Sequence, residues 1–153
     1  LISSDQHKRV SDYVKIGVEE GAELISGGES SSDNGFYFNP TVFGKVNKEM
    51  RIVKEEIFGP VLAACPFDTT DEVVEMANDT KYGLGSGIFS TDISKVHLVA
   101  NKINAGNVWV NHYGGMHPTL PFGGYKESGW GRELGEDGFK AYLEQKTVSI
   151  KLD

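Results

Sequence analysis

Apolar residues near the start recur at helical spacing: Val10, Tyr13, Val14 and Val18 share a face, with Asp5 placed to cap the helix and Gly21 to stop it. "AELISGG" (22–28) predicts a short strand and turn, and "SSSDNG" (30–35) a polar loop. "FYFNPTVF" (36–43) is β-like, but Pro40 confines it to an edge or a bulge. The middle of the chain is more regular. "PVLAACPF" (60–67) reads as a strand covered on both faces. Thr69 and Glu72 have capping-box spacing ahead of an apolar stripe of Val73, Val74 and Ala77. "GLGSGIFS" (83–90) predicts the next strand. Asp92 opens a helix with Ile93, Val96, Ala100 and Ile103 on one face, Gly106 closes it, and "NVWVN" (107–111) is a third strand. Strand, helix, strand, helix, strand with short links predicts an α/β fold with a parallel sheet.

Beyond Asn111 the pattern breaks into a long Gly-rich stretch with interleaved aromatics, the composition of a functional loop rather than a disordered one. "FKAYLEQK" (139–146) reads as helical. "TVSIKL" (147–152) alternates as a half-buried strand does and, lying at the end, needs a sheet edge to pair with, which a second subunit can offer.

Composition narrows the partners. A formal charge of −7 argues against nucleic acid or an acidic membrane surface. No apolar run approaches the roughly 20 residues of a membrane helix. The single cysteine excludes an internal disulfide and a multi-cysteine metal site, and fits a reducing, cytoplasmic setting. Cys65 sits among apolar neighbours, where a thiol is a small buried hydrophobe rather than a nucleophile. His7 and His97 read as surface groups. His112 and His117 share a loop without a companion carboxylate motif for a metal. The chain begins at Leu1, which fits a piece of something longer.

"KEEIFGPV" (54–61) raises the sharpest question, because adjacent carboxylates at the mouth of a strand are costly to bury unpaired. Either they form a solvated pair, or one of them holds the adjacent hydroxyls of a ribose, which suits an acceptor-only group with two oxygens.

"KEEIFGPV", "NPTVF" (39–43), "YGL" (82–84), "VWVN" (108–111), "PFGGYKESGWGRELG" (121–135) and "KTVSIKL" (146–152), in that order, resemble the C-terminal portion of an NAD(P)-dependent aldehyde dehydrogenase over nearly the whole chain. The resemblance implies part of that family's catalytic domain over 1–127, a connecting segment over 128–142 and a bridging, oligomerisation strand over 143–153, pairing in a homodimer or homotetramer through 147–152. It implies that Glu56 binds the ribose beside the nicotinamide of NAD or NADP, that Phe58 packs near the nicotinamide ring, and that Glu55 is structural or solvated. It places His112, Met116 and Phe122 in the funnel for a small-molecule aldehyde, Met116 standing where many members carry an aromatic. Glu133 matches a glutamate proposed in some members to relay protons, though a carboxylate favoured by a helix dipole accounts for it equally. The family oxidises an aldehyde through a cysteine thiohemiacetal and thioester, with a glutamate base. The segments that carry that cysteine, that base and the Rossmann-type domain do not occur in this sequence, so the 153 residues are expected to be inactive alone. The alternative is a truncated, non-catalytic module that acts by subunit association.

Overall fold

Ser3, not Asp5, caps the first helix. In a computed structural model, which describes residues 1–31 and 34–153, the Ser3 hydroxyl accepts from the Gln6 N–H, and α1 runs Ser4–Glu19 with Asp5 in its first turn. Val10, Tyr13 and Val14 are buried as the stripe predicts, whereas Val18 is exposed, one residue before the helix ends. The helix packs on β2 (Thr41–Gly44) and on the short α2 (Arg51–Lys54), where Gly17 allows the approach. A Cβ there would stand 3.1 Å from both the Phe43 and Ile52 side chains.

β1 (Glu23–Ser26) pairs antiparallel with β2, and β2 pairs in parallel with β3 (Val61–Ala63), giving a three-stranded sheet of order β1-β2-β3. Phe43 is fully buried at its centre, among Val10, Val14, Ile52 and Ile57. Pro40 precedes β2. The polar loop expected over 30–35 includes residues 32 and 33, which lie outside the described residues. The run 60–67 is not covered on both faces, since Leu62 is 60% exposed. Cys65 is half-buried against the core, its thiol 3.7 Å from the Val46 carbonyl, as a structural residue would be. α3 (Thr70–Asn78) starts at Thr69 with both bonds of the capping box made.

The chain divides into two compact units, Leu1–Asp79 and Thr80–Asp153. In the second, β4 (Gly85–Ile88) pairs in parallel with β5 (Asn107–Val110) through α4 (Ile93–Lys102), capped by Asp92. The three middle strands therefore do not form one sheet: β3 pairs with β2, and β4 with β5. On α4 the buried residues are Val96 and Val99, and Ile93 is exposed in the first turn. The helix ends before Gly106, which serves a close approach instead: a Cβ there would collide with the Gly123 carbonyl.

A single 3₁₀ turn (Lys126–Ser128) and α5 (Gly135–Lys140) follow, so the last helix lies earlier than residues 139–146 suggest. No strand forms over 147–152. Val148, Ile150 and Leu152 are all exposed, because the apolar alternation finds no sheet edge among the described residues. Among the described residues, no helix is long and apolar enough to cross a membrane.

Candidate functional site

The two glutamates part company in the structure. Glu55 follows α2 and turns back on it. Its Oε1 accepts from Arg51 Nε at 2.9 Å, and its Oε2 accepts from Arg51 Nη2 at 3.0 Å and from the Tyr13 hydroxyl at 2.6 Å. These donors lower the carboxyl pKa to about 2, the Arg51 bond contributing most. The bond to Glu55 raises the Tyr13 phenol, with burial adding to it, and Arg51 also shifts upward beside Glu55. Arg9 and Arg51 both lie over the Tyr13 ring, 4.9 and 5.7 Å from its centroid. Glu55 is therefore structural.

Glu56 faces the other way. Its side chain is exposed, and among the described residues nothing hydrogen-bonds to its carboxylate. Its backbone is held: Arg9 Nη2 donates to the Glu56 carbonyl at 2.5 Å, and Gln6 Nε2 donates to the carbonyls of Ile57 at 3.0 Å and Phe58 at 2.7 Å. Ile57 is buried in the core. Phe58 stands 73% exposed at a φ of 59°, a left-handed conformation that bulky residues rarely adopt. Two anchored positions, 55 and 57, thus alternate with two presented ones, 56 and 58. An exposed carboxylate without an internal partner, on a held backbone beside an uncovered aromatic ring, fits a sugar diol and an attached planar ring.

In the second unit, β5 and the loop after it line an open pocket of about 590 Å³, within the usual size of small-molecule sites. Its lining includes His112, Met116 and Phe122, so all three funnel candidates meet there, together with Trp109, His117 and Leu120. The Trp109 indole N–H donates to the Gly115 carbonyl at 2.6 Å. Phe122 is held by a two-bond bridge to Glu133, each N–H donating to the other's carbonyl at 2.7 Å. The Glu133 side chain is exposed and makes no hydrogen bond among the described residues. No group of three His, Cys, Asp or Glu could hold a metal among the described residues.

Sequence reasoning missed Gln6, Arg9 and Tyr13 as the supports of the 55–58 segment. Arg9 and Tyr13 stand at i and i+4 on one helix face, a readable signal, but their target lies more than forty residues away. It also left out Trp109 and His117 as cavity walls. His7 is half-buried, edge-on to Phe38, rather than a plain surface group.

The aldehyde dehydrogenase family model matches residues 1–148. This chain belongs to the aldehyde dehydrogenase family. It is 46% identical over 153 residues to the putative aldehyde dehydrogenase DhaS of Bacillus subtilis (strain 168), a match covering 100% of this chain and 31% of that protein. It is 48% identical over 151 residues to the mitochondrial aldehyde dehydrogenase of Sus scrofa, covering 99% and 29%. The structure superposes on an NAD+ complex of an aldehyde dehydrogenase from Bacillus cereus with a TM-score of 0.96 and 47% identity, covering 100% of this chain and 31% of the other. The chain therefore spans about three tenths of the length of these relatives.

Proposed function

We propose that this chain is part of a longer NAD(P)-dependent aldehyde dehydrogenase, supplying a cofactor-orienting carboxylate from its first unit and part of the aldehyde pocket from its second. The free Glu56 carboxylate on a pinned backbone carries this reading. Its two oxygens would accept from both hydroxyls of the nicotinamide ribose, in charge-assisted bonds that fix the sugar, while the Phe58 ring packs by the nicotinamide. The bound dinucleotide would supply a hydride acceptor. NAD is the first choice, since the Bacillus cereus neighbour is an NAD+ complex. NADP would meet the same residues in this chain.

His112, Met116 and Phe122 line the aldehyde side, and Met116, flexible and unbranched, gives an adaptable wall. Glu133, exposed beside the Phe122 bridge, would pass a proton to bulk water. The cysteine that forms the thiohemiacetal and thioester, and the base that activates water, would come from elsewhere in the longer protein. Within it, 1–127 belong to the catalytic domain, 128–142 connect, and 143–153 form an oligomerisation strand. The exposed alternation of Val148, Ile150 and Leu152 supports pairing with another subunit's sheet edge. A nucleophilic thiolate in the longer protein would need a reducing compartment such as the cytoplasm.

The test is aldehyde-dependent reduction of NAD or NADP by the full-length protein. Glu56→Gln is expected to lower kcat/KM by about 10-fold or more, as loss of charge-assisted hydrogen bonds does. Its stability should be unchanged, because no internal bond is broken. Unaltered kinetics in the variant would remove Glu56 from the cofactor site.

A further inference from the structure

We propose that His117 is a specificity-determining residue of the cavity beside β5, favouring aldehydes whose tail carries a hydrogen-bond acceptor over plain alkyl aldehydes of equal length. This rests on reading that cavity as the aldehyde pocket. His117 begins a tight turn, in which the Leu120 N–H donates to the His117 carbonyl at 3.0 Å and Pro118 takes the second position, where its fixed φ belongs. Inside the turn the Thr119 N–H donates to His117 Nδ1 at 3.4 Å, and the Thr119 hydroxyl lies 2.8 Å from the same nitrogen. An N–H facing Nδ1 needs a lone pair there. The hydrogen-bond network thus assigns the neutral ring its proton on Nε2.

The turn is also held from outside. The Gly135 N–H donates to the Pro118 carbonyl at 3.0 Å, and Gly135 sits so close to the 119–121 main chain that a Cβ would be 3.1 Å from Thr119 O and Pro121 N. The imidazole therefore rides on a fixed main chain, with Nε2–H unpartnered among the described residues. The other polar groups of the lining are engaged or unfixed. Trp109 spends its N–H on Gly115, and Asn107 donates its amide to the carbonyls of Leu84 and Gly123, both at 3.0 Å. His112 lies against Gly115 with no hydrogen bond that fixes its tautomer. The rest of the wall is apolar: Met116, Leu120, Phe122 and Leu134.

An alkyl tail filling this space offers the Nε2–H no partner, whereas a tail with an ether, hydroxyl, carbonyl or carboxylate oxygen accepts from it directly. The experiment compares kcat/KM of the full-length enzyme for 4-methoxybutanal against hexanal, and for 5-methoxypentanal against heptanal. Each pair differs by oxygen in place of one methylene. The wild type is expected to favour at least one methoxy aldehyde. His117→Leu should lower that ratio by about 3- to 10-fold, the range of one neutral hydrogen bond. His117→Gln, which keeps a donor, should retain most of the preference. Wild-type ratios at or below one in both pairs overturn the proposal without any variant, and so does a ratio that His117→Leu leaves unchanged. No oxidation of hexanal or any other aldehyde by the wild type, with either NAD or NADP, would instead bring down the dehydrogenase reading on which the proposal stands.

Discussion

Replacing Glu55 by Gln removes one negative charge at nearly constant volume, and its effect can be worked out from the contacts. In the folded chain the carboxylate takes two hydrogen bonds from Arg51 and one from Tyr13, and its pKa falls from 4.5 to about 2. The side chain keeps 41% of its surface in water, so the shift does not convert whole into stability. An ion pair this exposed contributes about 0.2–1 kcal/mol, and the bond from the Tyr13 hydroxyl to an ionised acceptor adds about 1 kcal/mol after the same screening. E55Q is therefore expected to lower the unfolding free energy by about 1–2 kcal/mol at pH 7. The folded pKa lies below the unfolded one, so this stability is fully present above 4.5 and is lost as the pH falls toward 2. Roughly two fifths of it survives at pH 3. Urea unfolding of wild type and variant at pH 7 and pH 3, followed by circular dichroism, measures both gaps. An equal gap at the two pH values, or none at pH 7, would refute the ionised Arg51–Glu55–Tyr13 cluster.

Thr69→Ala removes one bond of the capping box on a helix without a fully buried residue, so it should cost about 1 kcal/mol. Faster hydrogen exchange of the amides over 70–78 would show it, and unchanged protection would mean the box does not hold α3. Gly106→Ala drives a methyl into the Gly123 carbonyl and should destabilise the second unit by about 1–3 kcal/mol, read as a lower midpoint in urea. A midpoint equal to wild type would mean that the segments carrying Gly106 and Gly123 separate without cost.

Helix starts were legible because their rules are local. The Thr69–Glu72 box and the Asp92 cap each span only four residues, and both are made. At α1 the cap expected at Asp5 falls two residues earlier, on Ser3, leaving Asp5 inside the first turn. Strand pairing was not legible, because it is decided between distant segments. An apolar run such as 60–67 looks the same whether its neighbour is β2 or β4, and the exposure of Leu62 depends on what lies across from it. The two glycines of β4 carried a hint in the sequence. A Cβ on Gly85 would press on the Trp109 ring and one on Gly87 on the Tyr113 ring, so the strand is kept bare to seat those aromatics.

The two adjacent glutamates are indistinguishable by composition, and what separates them is phase. The backbone at Glu55 is extended, with φ −104° and ψ 147°, so successive side chains point to opposite sides. Both side chains stay exposed, and what differs is the partners each one meets. Arg51, four residues before Glu55, was a partner readable from the sequence. The Tyr13 hydroxyl and the core slot for Ile57 were not, since both belong to elements distant in the chain. With Glu55 bonded to Arg51 and Tyr13 and Ile57 seated in the core, Glu56 and Phe58 are the two side chains left exposed. The carboxylate and the ring that a ribose and its attached base would need are then presented by one device rather than by two independent placements. The bonds of Arg51 and Tyr13 to Glu55, rather than composition, therefore decide which glutamate is left free to bind.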